Sequence, residues 1–372
     1  MLDEHLGYIA DRVRLDRFRA AVSAVVTPGD RVADLGCGSG LLGLLCLHAG
    51  AAHVDFIDQG AILDVARQTV TGAGFADRAS FISGRSQQVE LSDRVDVLVC
   101  DHVGYFGFDY SIVPLLQDAR RRFLAPGGRV IPSRITLHLA AVESDTCHAR
   151  AEGWTAEGIP IDFHWLRDRA VSTEQAVQLT AGDLISDPAQ LGIIDLSDDQ
   201  PSFVSWTAEL RMARDGVVHG LSGWFDCELA PGVGMTNSPV ADRSIDRPQA
   251  FLPAGEAVRV RAGDHMKATI MARPFDHIIA WTAEFEATGQ RWTHSTLQGM
   301  LLSPEDLAAA NPSRVPQLSR EGRARMTVLG YCDGRRSVSE IERAVLREHP
   351  GLFPSTGEVS RFVARVLGLD TI

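Results

Sequence analysis

Residues 31–47 constrain the fold more than any other stretch. Arg31-Val32-Ala33-Asp34-Leu35 is an apolar run of strand length that enters Gly36-Cys37-Gly38-Ser39-Gly40, after which Leu41, Leu42, Leu44, Leu45 and Leu47 open a helix. Residues without a Cβ let a ligand approach the backbone, and the first turn of the following helix offers free N–H groups. Strand, glycine turn and helix in this order predict an α/β section with a nucleotide-type cofactor. A dinucleotide fingerprint, Gly-x-Gly-x-x-Gly, would need its third glycine at position 41, which is Leu. The third glycine is Gly40, so NAD is the weaker reading.

Two further strands end in acids. Residues 53–57 run into Asp58, about twenty residues past the glycine turn, where a carboxylate can accept hydrogen bonds from both hydroxyls of a ribose. Residues 95–100 run into Asp101-His102-Val103-Gly104-Tyr105-Phe106-Gly107-Phe108-Asp109-Tyr110. Ligands of open α/β sheets sit beyond the carboxyl ends of the strands, so Asp101 should face the same crevice as Gly38 and Asp58. With Asp34 ahead of its glycines, the first motif resembles that of class I S-adenosylmethionine (SAM) methyltransferases. The resemblance implies a Rossmann-like domain in which Asp34, Gly36, Gly38 and Gly40 surround SAM and Asp58 takes its ribose. It also implies, from Phe81-Ile82-Ser83-Gly84-Arg85-Ser86-Gln87-Gln88, that Gln87 or Gln88 meets the adenine. The competing reading is a glycine turn needed only for tight packing.

The loop from Asp101 to Tyr110 resembles the acidic substrate loop of the protein arginine methyltransferase family, in which two glutamates grip a guanidinium. Phe123-Leu124-Ala125-Pro126-Gly127-Gly128-Arg129-Val130-Ile131-Pro132 is similar to that family's segment after the fourth strand. Asp11-Arg12-Val13-Arg14 resembles its N-terminal helix, which implies Arg14 as a ligand of the SAM carboxylate. Two signatures depart from the family. The first acidic position is the shorter Asp101 and the second falls on Tyr110, with Asp109 one residue early; the family's Thr-His-Trp tripeptide aligns with Ser244-Ile245-Asp246. The cofactor half is intact while the acceptor half is altered. Asp101 is the candidate for orienting an acceptor amine, with His102 or Asp109 as alternative bases and Tyr110 beside them. On this reading Asp101→Asn spares SAM binding and removes transfer.

Residues 133–310 contain alternating segments, such as Ile135, Leu137 and Leu139, that read as half-buried antiparallel strands. The resemblance implies a β-barrel domain here, and residues 154–191 lie where the family inserts a helical arm that makes a homodimer. His265, His277 and His294 lack metal-ligand spacing, so no metal is expected. Asn311-Pro312-Ser313-Arg314 and Pro316 read as a linker. From 311 to 372 the chain carries ten Arg against seven Asp and Glu, net +3, which leaves −15 for residues 1–310. Ser337-Val338-Ser339-Glu340 is a capping box opening a helix striped by Val338, Ile341, Ala344 and Val345, and Val359, Phe362, Val363, Val366 and Leu367 stripe another. With residues 329–337 ahead of it, the segment resembles the small winged-helix domains that bind leader peptides in ribosomal peptide pathways. Three domains are expected: 1–132, 133–310 and 311–372.

Composition removes several classes. Lys267 is the sole lysine, which disfavours Schiff-base cofactors. A net charge of −12 disfavours phosphate-tracking nucleic-acid binding. Six scattered cysteines without a C-x-x-C pair predict a reducing cytoplasm, and no long apolar window predicts a membrane span. The expected function is a SAM-dependent N-methyltransferase, releasing S-adenosylhomocysteine (SAH), acting on an amine or guanidine of a peptide or small natural product. A daptide-type ribosomal peptide pathway is the context the tail suggests. Protein arginine methylation and a catalytically silent SAM-binding subunit are the alternatives.

Overall fold

A computed structural model describes residues 2–300, 315 and 317–371. The chain divides into two compact units, Met1–Met300 and Leu301–Ile372. The two sections expected to part at residue 132 therefore share a unit. The linker expected at 311–314 and Pro316 lies outside the described residues.

The first unit begins with helices α1 (Leu2–Ala10) and α2 (Arg12–Val25). Asp11 separates them and caps α2, its Oδ1 accepting the Arg14 N–H at 3.0 Å. Then follow β1 (Arg31–Leu35), α3 (Leu41–His48), β2 (His53–Asp58), α4 (Leu63–Gly72), β3 (Ala79–Ser83), β4 (Val95–Cys100), α5 (Ile112–Arg122) and β5 (Leu124–Ile131). The five strands form a parallel sheet of order β3-β2-β1-β4-β5. Order reverses at β1, and the ends of β1, β2 and β4 open on the crevice beside it. Helices cover both faces, so β1, β2 and β4 are buried almost throughout, which is why they read as continuous apolar runs. Phe18, Phe56 and Leu98 lie fully inside, each contributing about 1.5–3 kcal/mol by burial.

The rest of the unit is antiparallel. Strands β6 (Arg134–Val142), β7 (Gln175–Val177), β8 (Ala189–Asp195), β10 (Gly216–Ala230), β11 (Val233–Thr236) and β12 (Gln249–Val260) form one sheet around the long β10. Strands β9 (Val204–Arg211), β13 (His265–Arg273), β14 (Ile278–Phe285) and β15 (Arg291–Ser295) form a second. Buried and exposed positions alternate along β9 and β13, as expected of sheets with one wet face. The expected barrel takes the form of two sheets, bridged at Ser186 and Met212.

The second unit holds helices Arg320–Gly330, Val338–Glu348 and Thr356–Asp370, packed through Ala324, Val328, Ile341, Val345, Val359, Val363 and Val366. The Ser337 and Glu340 capping box forms. Val338, expected on the apolar stripe, is instead half exposed, because it is the first helical residue and precedes the packed turn. Among the described residues of this unit there is no strand, so the wing of the expected winged helix has no counterpart there. No helix among the described residues is long and apolar enough to cross a membrane.

Candidate active site

The crevice at the carboxyl edge of the parallel sheet is a cavity of about 420 Å³. The glycine turn forms one wall. Gly40 caps α3 in the left-handed conformation, φ +82°, and has no side chain to cap it, so the Leu41 and Leu42 N–H groups at the start of α3 are left for a ligand. Asp58 ends β2 and ties the wall together: its Oδ2 accepts the Gly38 N–H at 2.9 Å and its Oδ1 accepts the Gly60 N–H at 2.7 Å. Asp34, 1% exposed, accepts the Gly43 N–H at 2.7 Å. Burial pushes the pKa of Asp34 up to about 7, with Asp58 and Asp101 adding to the rise against that hydrogen bond.

The other wall is the loop after β4. Asp101 lies inside the cavity with its side chain 8% exposed, and two guanidiniums hold it. Arg14 Nε donates to Oδ2 at 2.5 Å, while Arg247 Nη1 and Nη2 donate to Oδ1 and Oδ2 at 3.2 and 3.0 Å. Burial alone would raise the Asp101 pKa, but Arg247 and Arg14 hold it below the usual carboxylate range. The His102 ring packs against Gly36, in the space a Cβ there would fill, so Gly36 is required by this contact as well as by its φ of +65°. Burial lowers the His102 pKa against the pull of Asp101 and Asp58, which favours the neutral imidazole. Tyr110 closes the rim with its ring 5.8 Å from that of His102.

The structure thus gathers Arg14, Asp34, Gly36, Gly38, Asp58, Asp101, His102 and Tyr110 around one cavity, with Gly40 at the helix cap beside it. It does not bring in Gln87 or Gln88, which stand exposed because the turn closed by the Gln88 N–H on the Arg85 carbonyl carries them outward. Gln59, next to Asp58, lines that side instead. Nor does Asp109 line the cavity. Its two carboxylate oxygens accept the N–H groups of Tyr105 and Phe106 at 2.9 and 2.8 Å, so it staples its own loop. Burial raises its pKa in spite of those bonds.

Sequence reasoning missed His5 and Tyr8 of α1 and Arg247, all of which line the cavity. The segment bearing Arg247 is anchored at Pro248 by buried Asn237, whose amide oxygen accepts the Phe225 N–H at 3.0 Å and whose amide nitrogen donates to the carbonyls of Pro248 at 2.7 Å and Tyr105 at 2.8 Å. Glu174 lies outside the cavity lining. Its Oε1 is buried without a hydrogen-bond partner among the described residues, and burial, with Asp109 nearby, pushes its pKa well above the usual range.

This donor set fits SAM. The first turn of α3 provides the Leu41 and Leu42 N–H groups, Asp58 retains acceptor capacity on both oxygens for ribose hydroxyls, and Asp34 places negative charge near a cationic ligand. Because a cationic ligand favours ionised Asp34, SAM affinity should rise as pH increases from about 6 to about 8, with proton release on binding. Calorimetry in two buffers of different ionisation enthalpy reads that proton. The same affinity at both pH values, with no proton released, would contradict it.

Known proteins agree with this assignment. Residues 32–128 match the family model described as "Methyltransferase domain". Protein arginine N-methyltransferase 1 of Chlamydomonas reinhardtii is 32% identical over 247 residues, covering 64% of this chain and 71% of the relative. Protein arginine N-methyltransferase 1 of Schizosaccharomyces pombe is 27% identical over 255 residues, covering 65% and 73%. In fold, the chain is similar to the Trypanosoma brucei PRMT1 enzyme-prozyme heterotetrameric complex with AdoHcy, with a TM-score of 0.70 and 20% identity over 79% of this chain and 98% of the other. Arabidopsis thaliana protein arginine methyltransferase 10 gives a TM-score of 0.67 at 21% identity, over 80% and 98%. The protein is a SAM-dependent methyltransferase, and the chain belongs to the protein arginine N-methyltransferase family.

Proposed function

We propose that the enzyme methylates an amine nitrogen of a peptide acceptor, with a small amine-bearing natural product as the narrower variant. The observation that carries this reading is the facing of the glycine wall by a loop whose acid, Asp101, is already neutralised by two arginines. SAM supplies a methyl group on a sulfonium, which needs no further activation. The protein's task is to seat a nitrogen lone pair, exclude water and receive a proton. Arg247 and Arg14 disfavour a protonated amine beside them, which keeps the lone pair available. Neutral His102 is the group able to take the proton, and Tyr110 shields the rim.

The names of the relatives favour a second reading, methylation of protein arginine. Isotope-labelled SAM offered with arginine peptides, amine-bearing peptides and free amines separates the two. Label on an amine supports the proposal, label on a guanidine nitrogen replaces it with the second reading, and SAM binding without any label favours a silent subunit. The helical segment within 311–372 is proposed as the peptide-recognition element, and deleting it should weaken transfer to long peptides more than to short ones.

A homodimer is part of this reading. Ile161, Phe163 and Trp165 are 79%, 51% and 55% exposed on the segment between helices α6 (Asp145–Glu152) and α7 (Leu166–Ala170), a cluster of apolar surface suited to a second copy. Ile161→Asp with Trp165→Asp should convert a dimer to a monomer in sedimentation equilibrium, and an unchanged mass would reject this face.

A further inference from the structure

The acceptor side of the cavity already contains a guanidinium. Arg247 meets both oxygens of Asp101 in a two-pronged arrangement, the pairing geometry by which a carboxylate recognises a guanidinium. Its side chain is 9% exposed, and the segment bearing it is anchored through Asn237 to β10 and to the loop carrying Asp101. Arg14 takes a further position on Oδ2. The other acids facing the cavity are also engaged, Asp34 by the Gly43 N–H and Asp58 by those of Gly38 and Gly60. A guanidinium from outside would have to expel Arg247 and would meet two positive charges on the way.

We propose that Arg247 selects the acceptor: it fills, from within the chain, the seat a guanidinium acceptor would need, so the enzyme admits a nitrogen that is uncharged when it reacts. This rests on the amine reading above and adds the residue that decides it. A consequence is that vacating the seat restores it. Arg247→Ala leaves Asp101 ionised beside a hole of guanidinium shape, and a small guanidinium compound should enter.

N-ethylguanidine is the probe, titrated calorimetrically into the full-length protein saturated with SAH, with ethylammonium as the control cation. Wild type and Arg247→Ala should both bind SAH, wild type should show no saturable uptake of the probe, and Arg247→Ala should bind it with a dissociation constant on the order of millimolar. Its melting temperature should rise with the probe and not with the control. Equal uptake by wild type, or none by a folded, SAH-binding Arg247→Ala, overturns the proposal. Arg247→Ser is read in the same way should the alanine variant not fold, and wild type alone still tests the first half. A wild type that binds no SAH removes the reading beneath the proposal, an outcome distinct from failure of the probe.

Discussion

Asp101→Asn is expected to lower the unfolding free energy by about 3–5 kcal/mol, because it removes the partner of two buried guanidiniums at once. Urea unfolding at neutral pH measures this, with the transition shifting to lower denaturant at an unchanged slope. A change below about 1 kcal/mol would show that the carboxylate does not hold the pair. The effect has a defined pH sign. Asp101 is held below its ordinary pKa, so the stability it lends is present above about pH 4 and is lost as pH falls through the folded-state value. The same geometry alters what the sequence led one to expect of this variant. Asp101 anchors Arg14, which also lines the cavity, so SAM affinity should fall together with transfer.

Asp58→Ala is expected to weaken SAM and SAH binding by about 10²–10⁴-fold. Two hydrogen bonds from ribose hydroxyls to a charged acceptor are worth about 1.5–3 kcal/mol each. The substitution also frees the Gly38 and Gly60 N–H groups that the carboxylate holds in place. Equilibrium dialysis with labelled SAH reads the loss, and an affinity within about tenfold of wild type would remove Asp58 from the ribose site. Asp58→Asn, which keeps the shape and one acceptor oxygen, should fall between the two.

The parallel sheet and its glycine wall were legible in the sequence because the chemistry there is local. One strand, one turn and one helix of contiguous residues specify the wall, and the spacing to Asp58 is set by a single βα unit. The acceptor wall was legible only in part. Arg247 pairs with Asp101 across 146 positions, through a fold of two antiparallel sheets, and nothing around it marks it among the many arginines of this lysine-poor chain. Gln87 and Gln88 fail for a different reason. Their side-chain direction depends on how the turn after β3 closes, which the residue types alone do not determine. Asp109 looked catalytic by type and place, yet its oxygens face the backbone of their own loop, where Gly104 and Gly107, both at positive φ, flank the Tyr105 and Phe106 N–H groups it binds.

That staple has a thermodynamic consequence. Fixing the backbone of one residue costs about 1–2 kcal/mol, and a loop that remained slack until an acceptor arrived would draw that cost from the acceptor's own affinity. By binding the Tyr105 and Phe106 N–H groups, Asp109 shapes the acceptor wall before any ligand is present. The ordering entropy is therefore absorbed in folding, and the acceptor meets a preorganised surface on which small differences in charge and shape translate directly into selectivity.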